Sequence, residues 1–268
     1  MENIKKILFL LVLFLSVQAQ AQRCGAHIIK GDLDISYEGT ANKRYEMNSV
    51  MKFPQALYVA HYLDSMQIDI NERILVKKAD LQTDTWSPLL KLMDGDKDFS
   101  YAELLELSLQ QSDNNACDLL FNLCGGPQDV QNYLRSLGFK NIRLKWTETQ
   151  MHSKPRRSRD NWCTPRDMVY LLEWFCHERK SSPVLMYIWD LMLNCETGNN
   201  RIKAALPLGA QLVHKTGTGF SKGKMLRGIN DVGIIIMPDG DFYPIAIFIK
   251  RTESEEEVAE IARLLLSP

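Results

Sequence analysis

What the chain lacks narrows its chemistry before any motif is read. None of its 6 cysteines stands in a C-x-x-C pair, and its 5 histidines form no His-x-His or His-Glu-x-x-His pair. Zinc and dithiol redox centres are assembled from such close pairs, so neither a metal nor any other cofactor is expected. Charge of one sign is missing too. The 32 Lys and Arg residues face 33 Asp and Glu residues, for a formal net charge of −1. Binding to nucleic acid, or to an anionic membrane surface, calls for a basic excess, so neither partner is expected. No internal repeat or low-complexity tract occurs. Nor is there an apolar run of about 20 residues, the length that spans a bilayer. The candidate is Ile7 to Val17, preceded by Lys5 and Lys6 and followed by Ala19-Gln20-Ala21. A charged start, a short apolar stretch and an A-x-A site describe a secretory signal peptide. Residues 1–21 are therefore read as a leader cleaved after Ala21, and 22–268 as one large domain released into the periplasm without membrane attachment. Export permits disulfides, but the sequence assigns none. Cys117 and Cys124 lie about 10 Å apart along one helix, too far to bridge each other, and core packing is the simpler reading for most thiols.

What is there has a clear order. Cys24 to Ile29 and Leu33 to Tyr37, joined by Lys30-Gly31-Asp32, read as a β-hairpin. A helix starts near Ser49 and ends near Ser65, with Leu57, Ala60, His61 and Leu63 on its buried face and Pro54 early enough to be tolerated. Residues 70–97 are mixed and rich in loops. Ser100 and Glu103 form a capping box for a helix ending near Gln110. A break follows at 111–115, then a helix to Cys124, and another that Pro127 opens and Gly138 ends. Residues 144–165 are polar and without period, and long loops of that kind are usually functional. The basic cluster from Lys154 to Arg159 reads as its solvated edge. Helices resume at Pro165 to His177 and Pro183 to Asn194. The last third is strands: Ala210 to His214 leading into Lys215-Thr216-Gly217-Thr218-Gly219, then a hairpin from Asp231 to Lys250 turning at 238–241. An acid-capped helix with Val258, Ile261 and Leu265 on one face closes the chain. Strands at both ends with helices between them give an α+β fold. One antiparallel sheet built from both chain ends packs against an all-helical block of roughly 65–200.

Four polar clusters carry candidate chemistry. Ser49 and Lys52 are three apart on one helix face, so the amine lies over a hydroxyl that needs a base before it becomes a nucleophile. The second cluster is Ser112-Asp113-Asn114, the third Glu148, and the fourth Lys215-Thr216-Gly217. Each has a plainer meaning alone: a solvated helix face, a helix breaker whose side chains bond nearby backbone, a loop carboxylate, an exposed strand end. Trp86 beside a loop could stack on a ligand or anchor packing. In this order, on a helix start, an interhelix loop and a strand, Ser-x-x-Lys, Ser-Asp-Asn and Lys-Thr-Gly form the motif set shared by class A β-lactamases and penicillin-binding proteins.

From about Cys24 to Leu266 the chain resembles a class A serine β-lactamase. Trp86-Ser87-Pro88, Gln111 to Asn115, Thr147 to His152, Asn161-Trp162 and Asn230-Asp231 are similar to the subgroup typical of Bacteroidetes and related extended-spectrum enzymes. The resemblance implies a monomer acting on a small β-lactam, with no cofactor, and confers resistance to such compounds. Ser49 would be the nucleophile, with Lys52 and Glu148 handling its proton, and Glu148 activating the water that frees the acyl-enzyme. Ser112 would pass a proton to the lactam nitrogen, helped by Lys215. The backbone N–H groups of Ser49 and Thr218 would form the oxyanion hole. Asn114 would hold the substrate's side-chain amide; Lys215, Thr216 and Thr218 would bind its carboxylate, with Gly217 letting it lie against the strand edge, and Trp86 would lie beside it. His152 replaces a usual asparagine and inherits a water-positioning role. The arginine that commonly pins this loop is replaced near Trp146, and Arg227 is the candidate auxiliary carboxylate anchor. Family members also carry a helix before the first strand. Here cleavage falls almost on that strand, so either the outer sheet face is thinly covered or an uncleaved leader lies on it. Two alternatives share most motifs: a penicillin-binding DD-peptidase, which lacks the glutamate, and a paralogue that binds β-lactams without turnover.

Overall fold

The computed structural model describes residues 23–267; the expected leader of residues 1–21, and the question of its docking on the sheet, lie outside the described residues. The first hairpin pairs β1 (Cys24–Lys30) with β2 (Leu33–Ser36) across Gly31, whose φ of 55° suits a residue without Cβ. β3 (Tyr45–Glu46) leads through a 3-10 turn at Asn48–Met51 into α1 (Lys52–Met66). Then come β4 (Arg73–Val76) and β5 (Lys97–Ser100), which pair with each other, α2 (Tyr101–Gln110), α3 (Asn114–Cys124) and α4 (Pro127–Ser136). β6 (Ile142–Arg143), α5 (Glu148–Ser153) and β7 (Trp162–Cys163) precede α6 (Pro165–Glu178) and α7 (Pro183–Leu193). The chain ends in β8 (Gln211–Thr218), β9 (Ser221–Lys222), β10 (Met225–Ile236), β11 (Phe242–Thr252) and α8 (Glu256–Leu266).

The main sheet runs β2-β1-β11-β10-β8, antiparallel throughout, with β9 extending β10, so both chain ends meet in it. The period of two divides its side chains between two cores. Ile245, Ile247 and Ile249 of β11 join Val258, Ile261 and Leu265 of α8. Ala246 and Phe248, between them in sequence, join the helical block. This is the expected α+β arrangement, with β8 as its edge strand.

Several local expectations change. Ser49 sits in the 3-10 turn, not in the α-helix. Residues i and i+3 eclipse in such a turn, so Lys52 still lies over it. His61 is exposed, while Leu57, Ala60 and Leu63 are buried as expected; the ring stacks on Tyr133 at 4.7 Å between centroids. Residues 144–165 are not one irregular loop: they hold β6-facing β7, a 3-10 turn at Pro155–Asp160 and α5, which a Thr147–Gln150 capping box opens. Lys215-Thr216-Gly217 lies inside β8 rather than beyond its end. All six cysteines are buried and unpaired.

Candidate active site

The four clusters converge on one cleft between β8 and the helical block. Its lining includes Ser49, Trp86, Ser112, Asn114, Glu148, His152, Thr216 and Thr218. Asn48, with φ of 49°, turns the chain so that Ser49 faces this cleft. The turn is tied to the sheet by Asn230 Nδ2, which donates to the carbonyls of Glu46 and Met47 at 2.9 Å each. Gly217 presses from the strand side. A Cβ there would stand 2.6 Å from Met47 O and 3.2 Å from Ser49 N. The glycine is thus required by the nucleophile turn.

Lys52 is fully buried. Its Nζ donates to Asn114 Oδ1 at 2.6 Å and Ser112 O at 2.8 Å, and pairs with Glu148 Oε1 at 3.0 Å; Ser49 Oγ follows at 3.1 Å. An ammonium has three protons. The first three partners are acceptors only, so they use all three and leave the Ser49 hydroxyl proton directed at Glu148 Oε1, 3.5 Å away. A carboxylate at that spacing can take the proton directly or through one water.

Ser112 has φ of 59°, a strained conformation of the kind that clusters at functional sites. Its Oγ accepts from Lys215 Nζ at 2.9 Å, with Lys52 Nζ 3.4 Å away, which leaves its own proton free to be donated. Asp113 is fully buried and caps α3 through Ala116 N, while also accepting from Ser87 Oγ and Leu89 N. Asn114 Nδ2 donates to Thr85 Oγ1 at 2.8 Å.

Glu148 opens α5. Beyond the capping box, Asp118 on α3 accepts from Glu148 N and Thr149 N at 2.7 Å each, a carboxylate on a helix N-terminus where partial positive charge gathers. Burial pushes the Asp118 carboxyl up, against those hydrogen bonds. Asn161 Oδ1 holds Lys145 N and Trp146 N, and Trp146 Nε1 donates to Asp160 at 2.9 Å. These bonds do the pinning expected of a salt bridge. Asp118 was missed because a mid-helix aspartate carries no sequence signal. His152 lines the cleft with Glu148, and its Nε2 meets Asp84 Oδ2 across the opening at 3.0 Å.

On the strand side Lys215 is fully buried, and its Nζ also donates to Thr216 O at 3.0 Å. That carbonyl therefore faces the cleft edge, and by the alternation of peptide groups the Thr218 N–H faces it as well. Burial lowers the Lys215 ammonium to about 7, with Lys52 and Arg201 adding to the fall and Cys195 and Glu148 opposing it. Arg227 is not in the cleft: it donates to Glu46 at 3.1 Å. Arg201, from the segment before β8, is the arginine that lines the cleft. It is 3% exposed, donates to Thr218 Oγ1 at 2.7 Å and to the Asn230 and Gly217 carbonyls, and pairs with Glu255 at 3.0 Å. Only the distance in sequence between Arg201 and the strand concealed it. Trp86 is 63% exposed at the mouth, its Nε1 donating to Gln111 O at 2.8 Å.

With this geometry in view, comparison with known proteins is direct. A model of the β-lactamase enzyme family matches residues 12–267. The chain is 34% identical to the extended-spectrum β-lactamase PER-1 of Pseudomonas aeruginosa over 221 residues, which cover 81% of this chain and 71% of that protein. It is 34% identical to a β-lactamase of Bacteroides uniformis over 223 residues, 81% and 75% of the two chains. The fold superposes on a β-lactamase from Chitinophaga pinensis with a TM-score of 0.86 at 29% identity, covering 94% of this chain and 97% of that one. The chain belongs to the β-lactamase enzyme family, in the class A group its motifs resemble.

Proposed function

We propose that Ser49, Lys52, Ser112 and Glu148 hydrolyse β-lactams through a serine acyl-enzyme, protecting the cell that exports the protein. The reading rests above all on one observation: Glu148 Oε1 lies 3.0 Å from Lys52 Nζ and 3.5 Å from Ser49 Oγ. In acylation Ser49 Oγ attacks the lactam carbonyl while its proton moves to Glu148, the acceptor that the filled Lys52 ammonium leaves open. The developing oxyanion is taken by the N–H groups of Ser49 and Thr218, donors of a kind worth on the order of 3 kcal/mol each. The lactam C–N bond breaks as Ser112 Oγ–H protonates the nitrogen, and the proton held by Glu148 returns through Lys52 to Ser112 Oγ, which leaves Glu148 ionised again. Glu148 then deprotonates a water that attacks the ester, and Ser49 recovers its proton.

The substrate carboxylate is bound by Lys215 with the Thr216 and Thr218 hydroxyls. Arg201 donates to Thr218 Oγ1, so that hydroxyl keeps its proton for the carboxylate. Asn114 binds the side-chain amide, Trp86 covers the mouth, and His152 orders water beside Glu148. The leader of residues 1–21 sends a monomer to the periplasm. Hydrolysis of a chromogenic cephalosporin, read with mass spectrometry of the protein, tests the assignment. Glu148→Ala should accumulate acyl-enzyme and Ser49→Ala should never acylate. Normal turnover by the glutamate variant would remove Glu148 from the mechanism.

A further inference from the structure

The cleft does not end at Trp86, because two hollows share that residue. The first holds Ser49, Ser112, Arg201, Thr216 and Thr218, beside which the reacting carbonyl and the substrate carboxylate are placed. The second is a groove of about 440 Å³ that begins at the same indole. Thr197 also lines both, so the two run into each other along one edge. The hollow around Glu148 and His152 has neither Trp86 nor Thr197 in its lining. The groove therefore prolongs the carboxylate end of the cleft and not the end beside Glu148.

Its walls are largely apolar. Pro88 and Leu92 come from the 3-10 turn that follows Trp86. Leu107 on α2 and Gln111 at its C-cap are four residues apart, on one helix face. Leu92 is 47% exposed and Trp86 63%, so two large apolar side chains of one groove stand in water. Contiguous exposed apolar surface of this kind marks a place where a ligand or partner is received. The charged members of the lining offset each other. Lys91 and Glu196, both exposed, carry opposite signs, and Glu196 accepts from Gln111 Nε2 at 3.4 Å. A charged occupant gains little from such a pair, whereas an apolar one fills the groove. The shared indole is held in place as well. Trp86 Nε1 donates to Gln111 O at 2.8 Å, and Trp86 O accepts from Asn114 N at 3.0 Å. A wall fixed beforehand costs little ordering when it binds.

We propose that this groove extends the substrate site and takes a large apolar or aryl substituent carried at the carboxylate end of a β-lactam, with Leu92 setting that preference. The proposal rests on the β-lactamase reading above. A cephalosporin offers such a position on the ring carbon next to the one bearing the carboxylate. With the carboxylate on Lys215, Thr216 and Thr218, a substituent there reaches the groove across the edge that Trp86 and Thr197 share. A penicillin carries only methyl groups at that end and leaves the groove empty.

Two cephalosporins with the same acylamino group test the proposal, one with a methyl and one with an arylvinyl group on that carbon. They differ in intrinsic reactivity, so the quantity read is the ratio of their kcat/KM values, compared between wild type and Leu92→Asn. Asparagine keeps much of the volume but is polar, and a substitution at an exposed position leaves the fold intact. The preference for the arylvinyl compound should fall by about tenfold, the lower end of what an apolar pocket discriminates. Equal ratios in the two proteins overturn the proposal. Equal ratios with a changed sedimentation coefficient overturn it too, and make the groove a contact between copies of this chain. Calorimetric binding of the same pair to Ser49→Ala protein, with and without Leu92→Asn, frees the test from turnover. A wild type that hydrolyses neither compound refutes the β-lactamase reading. The binding ratio then decides the groove by itself, and a ratio that Leu92→Asn leaves unchanged overturns the proposal.

Discussion

The two walls of the cleft are built by different means. On the strand wall, Lys215, Thr216, Gly217 and Thr218 are each paired in register with Val232, Asp231, Asn230 and Ile229 of β10. Their positions are shared among many backbone bonds, and no single side chain holds them. On the helical wall, Ser112, Asn114 and Glu148 stand at helix starts, where a few side chains do the work. Asp113 holds one start, Asp118 the other, and Asn161 the chain leading into it. A ladder distributes its tolerance, whereas a cap concentrates it. The strand wall should therefore resist side-chain changes except where backbone meets backbone, and the helical wall should fail one carboxylate at a time.

The largest effect expected is at the exception. Gly217→Ala places a methyl 2.6 Å from Met47 O and 3.2 Å from Ser49 N, and neither atom is on a flexible side chain. The strand and the nucleophile turn must part, and with them the two oxyanion donors. Loss of one such donor costs on the order of 10²–10³ in kcat. Steady-state hydrolysis of a chromogenic cephalosporin should show a fall of that size. A rate within threefold of wild type, at about the resolution of such a comparison, would mean that the walls are less rigidly joined than the contact implies.

How much of this was legible in the sequence follows the same division. The strand wall and the sheet could be read from alternation and from the Lys-Thr-Gly motif, because a ladder is set by local pattern. The Ser49–Lys52 and Ser112–Asn114 clusters could also be read, since their chemistry needs neighbours in the chain. The long-range supports were hidden. Asp118 lies 30 residues from the amide it caps, and Arg201 lies 17 from Thr218. A lone Asp inside a helix or a lone Arg in a turn has no periodicity to betray it. Arg227 is nearer to the motif in sequence, yet Arg201 is the arginine that lines the cleft. The structure of 144–165 escaped because its order comes from caps and side-chain bonds to backbone, which leave no apolar period.

Removing Asp118 examines the helical wall directly. Asp118→Ala frees the Glu148 and Thr149 amides, the loss of a helix N-terminal carboxylate, worth about 1 kcal/mol and a fall in Tm of roughly 2–4 °C in a chain of this size. Its kinetic effect should exceed its thermal one, because Glu148 loses its position. Acyl-enzyme should build up during turnover, visible by mass spectrometry, while acylation slows less. Asp118→Asn keeps one acceptor for the two amides and should fall between alanine and wild type. If alanine destabilises the protein without slowing deacylation, the cap is structural only.

The smallest effect is expected at Trp86, which belongs to neither wall. Its backbone carbonyl accepts from Asn114 N at 3.0 Å, its indole donates to Gln111 O, and most of its side chain is exposed. Trp86→Ala keeps the backbone bond and removes the ring. A surface aromatic that merely decorates the mouth should change stability by no more than about 0.5 kcal/mol. One that covers bound substrate should lose a contact worth about 0.5–1.5 kcal/mol, seen as a several-fold rise in KM with a smaller change in kcat. The two measurements, Tm and KM, separate the roles. A large fall in Tm with KM intact would make Trp86 a packing anchor that stiffens the Ser87–Asp113 contact, and would add it to the list of single side chains on which the helical wall depends.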